Sequence, residues 1–169
     1  MSLSIATARA RVFAVLSGVA GITGGAAMVH DYFRTITDEL ALRTIGVGTS
    51  GRLHVWMVSL ADESPFLHLN AQNGPGWSGI NYSKVLYAFD LLGWYAHKDA
   101  DASEKAWANQ VEAVITAFRS AAQTGSPKLG DANITDAGPP QWIEGGYRMQ
   151  PGNVLCHFAR VRLAVRAQP

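Results

Sequence analysis

Apolar residues recur at helical spacing near the start of the chain, where Ile5, Ala8, Val12, Val15 or Leu16, and Val19 form one stripe behind a capping Ser4. This amphipathic helix is expected to stop near Gly18 or Gly21, with Gly24 and Gly25 making the turn that follows. A second helical stripe, Trp107, Val111, Val114 and Phe118, leaves Glu104, Asn109, Glu112 and Arg119 on the polar side. Asp101, three residues before Glu104, gives that helix a capping-box start. Between and after the helices the apolar period shortens to two. Residues 28–34 read as a short strand, and residues 52–60 as a strand apolar on both faces, with 66–69 as its return partner. In the long strand 84–97, Val85, Tyr87, Phe89, Leu91 and Tyr95 share one face, and Leu86, Leu92 and Trp94 the other. Residues 142–149 and 155–166 read as an antiparallel pair around Gln150, Pro151, Gly152 and Asn153. The segments 35–51, 70–83 and 123–140 read as loops. In the second of these, Trp77 and Tyr82 are candidate partner contacts, because long loops in compact domains tend to carry function. This order predicts an α+β fold: a mainly antiparallel sheet of about four or more strands, with two helices packed on one face, in a single domain over residues 1–169.

The last strand adds candidate chemistry. Leu155, Ala159, Val161, Leu163 and Val165 alternate with Phe158, Arg160, Arg162 and Arg166, so one side seeks a core and the other stays wet or binds something. Arg160, Arg162 and Arg166 are candidates for pairing with acidic residues of a neighbouring subunit, or for facing a lumen, against the plainer reading of a solvated sheet face. Cys156 and His157 are adjacent, but neighbours along a strand point to opposite faces and cannot share a proton. Cys156 is therefore read as a small buried or half-buried thiol.

Composition removes several classes. With 14 Lys and Arg against 13 Asp and Glu, the net charge of +1 provides no global field for nucleic acid or an anionic membrane surface. A single cysteine excludes an internally disulfide-stapled scaffold and makes cytosolic assembly the default. The uncharged run over residues 12–29, preceded by Arg9 and Arg11, has the outline of a targeting segment, but Gly18, Gly21, Gly24 and Gly25 break it short of a membrane span. His30, His54, His68, His97 and His157 fall on separate segments without metal-ligand spacing, and no nucleophile-elbow pattern surrounds Ser17 or Ser78. The adjacent acids Asp38 and Glu39, and Asp62 and Glu63, suit solvated loops better than paired catalysis. The residues thus lead to no enzyme, no cofactor and no metal, with a small enzyme kept as a minor alternative.

Several short motifs occur together in a telling order: Val29-His30-Asp31-Tyr32, Gly93-Trp94-Tyr95, Ala102-Ser103-Glu104-Lys105, Pro139-Pro140, Tyr147-Arg148-Met149, and Gly152-Asn153-Val154-Leu155-Cys156-His157. Their order and spacing resemble the small tail-terminator or tail-completion proteins of long-tailed bacteriophages. The resemblance implies a structural virion protein, assembled in the host cytoplasm, that forms a ring, usually a hexamer, on the last tail-tube subunits. Such a ring stops tube growth, joins a head-side connector or stopper, and lets DNA pass without sequence-specific binding. The loops over 44–51 and 70–79 are longer than that pattern. Another neck, connector or distal-tail virion protein is the alternative reading.

Overall fold

The computed structural model describes residues 5–35, 38–47, 49, 52–61, 67–69, 84–96, 100–123, 129, 134–136, 139–150 and 154–167. Among these residues three α-helices and seven strands occur in the order α1 (Ile5–Ser17), β1 (Met28–His30), α2 (Glu39–Gly46), β2 (His54–Leu60), β3 (Leu67–Leu69), β4 (Lys84–Tyr95), α3 (Ala100–Gln123), β5 (Ile134–Asp136), β6 (Gln141–Gln150) and β7 (Val154–Ala167). The fold is α+β, with a mixed and mostly antiparallel sheet, as the apolar periodicity indicates.

The two longest strands form its centre. β4 pairs antiparallel with β7 from Val85 opposite Ala167 to Tyr95 opposite His157. β2 and β3 therefore share the other edge of β4, and β6 and β5 share the other edge of β7. β1 pairs parallel with β2 and closes one side of the sheet, while β6 closes the other. Across its middle the sheet reads β1, β2, β4, β7, β6.

Helices α1 and α3 cover one face. Ala8, Val12 and Leu16 of α1, with Trp107, Val111, Val114 and Phe118 of α3, meet Trp56, Phe89, Leu91, Val161 and Leu163 in the main core. Both predicted helical stripes face the core, with Ile5 and Val15 half-buried and the rest buried, and Glu104, Asn109, Glu112 and Arg119 stay exposed. The opposite face is not simply wet. Leu53, Val55, Met57, Trp94, Cys156 and Phe158 make a second apolar cluster, against which Ile45 of α2 packs.

Four local expectations change. The 35–51 segment contains α2, whose first turn is held by the Ala41 N–H donating to Asp38 Oδ1 at 2.7 Å. The glycine and serine content beyond residue 46 masked the apolar side of this short helix. β3 pairs with β4 rather than with β2, since β4 is longer than β2 and leaves the edge at residues 84–86 free for it. β5 lies inside the predicted 123–140 loop, where three residues are too few to show alternation. α3 begins at Ala100, so Asp101 lies within its first turn rather than at its cap.

Gly93 explains why two large aromatic rings fit under α3. Trp56, opposite Gly93 on β2, stacks on Trp107 with ring centroids 5.2 Å apart, and Trp107 stacks on Tyr95 at 6.0 Å. A Cβ at position 93 would stand 2.7 Å from Trp107 and 2.8 Å from Trp56. Only a glycine strand position lets both rings approach the backbone.

Candidate functional site

The arginine row of β7 is the first candidate, and tertiary structure changes its meaning. Asp90 of β4 stands directly opposite Arg162 and one pair from Arg160 on the second sheet face, because β4 and β7 run in continuous antiparallel register. Arg160 Nε donates to Asp90 Oδ2 at 2.8 Å; Arg162 Nε donates to Oδ1 at 2.9 Å and its Nη2 to Oδ2 at 3.2 Å. The Asp90 side chain is only 4 % exposed, whereas the arginines keep 27 % and 22 %. Burial pushes the Asp90 carboxyl up, but hydrogen bonds and charge from Arg162 and Arg160 outweigh it and hold the group below the usual carboxylate range. The two arginines therefore meet an acid of their own chain, where the sequence suggested a neighbouring subunit's acid or a lumen. Arg160 also faces exposed Glu144 across the β6–β7 register. The formal charges of Asp90, Glu144, Arg160 and Arg162 cancel, which gives this face little attraction for phosphate. Arg166 has its backbone opposite Leu86 and Thr135 at the far end of β7, and its side chain is outside the described set. Trp77 and Tyr82 lie outside the described residues.

A row of polar and aromatic groups crosses the other end of the sheet: His54 of β2, Tyr95 of β4 and His157 of β7 are in register. His157 Nε2 and Ser103 Oγ share a buried 2.8 Å hydrogen bond that pins the start of α3 to the sheet. Burial pushes the His157 imidazole down, with Glu104 pulling the other way. Cys156 points to the opposite face and is buried in the second apolar cluster, so no thiolate–imidazole pair exists. This buried Ser–His contact acts as a structural clasp between α3 and β7. His30 is likewise structural, its Nε2 donating to the Ile45 carbonyl at 2.8 Å.

His54 sits edge-on against Tyr95 at 5.1 Å, and its Nε2 has no hydrogen-bond partner. Burial pushes its imidazole down to about 4. The unfolded chain binds this proton near pH 6.5 and the folded chain only near pH 4, so stability is full above 6.5 and falls as pH drops between those values. The loss expected from this one group is about 3 kcal/mol. Urea unfolding across that range checks it: His54→Phe should flatten the slope, and an unchanged slope would refute the assignment.

Among the described residues no cluster of three or more His, Cys, Asp or Glu side chains suits a metal ion, and no helix is long and apolar enough to cross a membrane. An open groove of 520 Å³ between the end of α1 and α3 offers Asn109, Glu112 and Thr116 beside small residues, with no convergent catalytic set.

The remaining surface feature is apolar. Among the described residues the exposed large hydrophobic side chains are Tyr32 and Phe33, 45 % and 50 % exposed, and Trp142 and Ile143, 52 % and 42 % exposed. The first pair follows the end of β1, just before Arg34, whose N–H donates to Met57 Sδ of β2 at 3.3 Å, and the second lies on β6. A register shift between Trp142 and Glu144 puts Ile143 on a bulge, while the Trp142 ring lies over Gly145, where any side chain would collide with it. The sequence reading missed both pairs as surface features. Their signal was two adjacent large apolar residues at an element end, since alternation can bury only one of them.

Scanned against models of protein families and against curated proteins, the chain matches none.

Proposed function

We propose that this protein is a structural virion subunit that forms a ring, hexameric by the resemblance, at the head-proximal end of a phage tail tube. In that position it ends tube growth, contacts the tail-tube protein on one side and a head-side connector or stopper on the other, and leaves a lumen through which DNA passes without sequence-specific recognition. The observation that supports assembly is the exposure of two adjacent large apolar pairs, Tyr32–Phe33 after β1 and Trp142–Ile143 on β6. The tail position rests on the order of the short motifs from Val29-His30-Asp31-Tyr32 to the strand around Cys156. The mutual cancellation of Asp90, Glu144, Arg160 and Arg162 agrees with a DNA path that does not grip phosphates at that patch.

Antibody labelling of purified tailed particles in the electron microscope tests this reading. Signal at the head–tail joint is expected. Signal at the distal tip, or on no particle, would overturn the neck assignment.

A further inference from the structure

We infer that the start of α3 is an acid-released clasp: proton uptake by His157 and His54 lets residues 100–107 lift from the sheet as one unit while β4 and β7 stay paired. This conformational step belongs to the single chain and is independent of the tail position proposed above.

The row His54, Tyr95 and His157 runs across β2, β4 and β7 on the sheet face that α3 covers. Each histidine is 6 % exposed, and Ser103 is 3 % exposed. α3 meets this row at two points four residues apart, on one face of the helix. Ser103 Oγ and His157 Nε2 share their 2.8 Å hydrogen bond, and Trp107 stacks on Tyr95, against whose ring His54 stands edge-on. Beyond Trp107 the helix is held by Val111, Val114 and Phe118, through apolar contacts that pH does not alter. The contacts that involve histidine thus gather at its first two turns.

A proton on either imidazole is poorly accommodated while the clasp is shut. His54 Nε2 is buried without a hydrogen-bond partner, so an imidazolium there has no acceptor at that nitrogen. A His157 imidazolium carries protons on both ring nitrogens, so the contact survives only with Ser103 as acceptor and with a full charge enclosed. Burial is the influence on His54 and the larger influence on His157, where Glu104, exposed on α3, works against it. The other groups placed at the row are Trp56 of β2, next to His54 on the same face, and Tyr147 of β6, at the register position opposite His157. Lys105 of α3 is exposed. Lifting Ser103 uncovers His157, and lifting Trp107 uncovers Tyr95 with His54 beside it. Both imidazoles then take up protons at ordinary values, so acid favours the open form and neutral pH the shut one.

Native-state hydrogen exchange of the full chain, read by NMR at pH 7.5 and pH 5 with small additions of urea, tests the clasp. The amides of residues 104–107 donate to carbonyls of the first turn and report its opening. Corrected for intrinsic rates, their protection should fall by on the order of tenfold or more on acidification. At pH 5 they should exchange faster than the amides of β4 and β7 and with little dependence on urea, as a local opening does. His54→Phe/His157→Gln takes up neither proton, and the glutamine keeps a hydrogen-bonding group for Ser103, so its protection at 104–107 should be equal at both pH values. Protection unchanged by acid in wild type, protection and urea dependence equal to those of β4 and β7, or an acid response retained by the double variant would overturn the inference. The first two of these outcomes are read on wild type and hold whether or not the variant folds.

Discussion

Replacing Asp90 by alanine should lower the unfolding free energy by about 3 kcal/mol, toward the low end of the cost of breaking a buried ion pair, because the arginines left behind retain some access to water. Four N–H donors from Arg160 and Arg162 converge on this carboxylate. Without it, two guanidinium groups sit partly buried and repel each other across adjacent positions of one strand face. The pH dependence carries a definite sign. Because the folded carboxyl titrates below its ordinary range, its stabilisation is complete above that range and is lost as pH falls through the lowered folded value. That window lies below most of the window assigned to His54, so acid unfolding should show two components, removed separately by Asp90→Ala and His54→Phe. A triple variant with Asp90→Ala, Arg160→Met and Arg162→Leu should recover much of the loss, since apolar replacements of similar volume often match a buried ion pair. A cost for Asp90→Ala within about 0.5 kcal/mol, as at an ordinary surface site, would show that the cluster contributes nothing to folding.

Gly93→Ala should cost about 2–3 kcal/mol although it adds a single methyl group to a strand, where alanine is otherwise as well tolerated as glycine. The methyl group would meet Trp56 and Trp107 at distances no relaxed contact permits, and both rings are buried with little room to move. Either the stack opens or α3 lifts from the sheet. Truncating one ring distinguishes this from a backbone effect: in a Trp107→Phe background, Gly93→Ala should cost at least about 1 kcal/mol less than in wild type. Urea unfolding of the four combinations supplies the cycle. Additive costs would mean that the glycine serves the backbone rather than the rings.

Both sites show how differently parts of this chain could be read from sequence. The stripe Trp107, Val111, Val114 and Phe118 was legible because helical period alone decides which residues of a helix share a face. The alternation in β4 and β7 was legible for the same reason. α2 was not, since eight residues beside glycines give too short a sample of the period, and β5 offers only three. The arginine row was visible as a pattern, yet its partner was not: Asp90 lies 70 residues before Arg160 in the chain, and only the β4–β7 register makes them neighbours. The sequence offered a neighbouring subunit's acid, a lumen or solvent for these arginines and did not name Asp90 for that reason. Gly93 looked like an ordinary strand glycine until Trp56 and Trp107 were brought over it from two other elements.

Local periodicity and turn chemistry, then, by themselves determined the α+β class, the two long helical stripes and the opposite facing of Cys156 and His157, because each depends on the geometry of one element. Tertiary structure alone decided the order of strands, the second core beneath α2, the capture of Asp90 by two arginines, and the exposure of Tyr32–Phe33 and Trp142–Ile143. Each of those depends on which distant segments pair, and strand register, which no single segment encodes, sets that pairing.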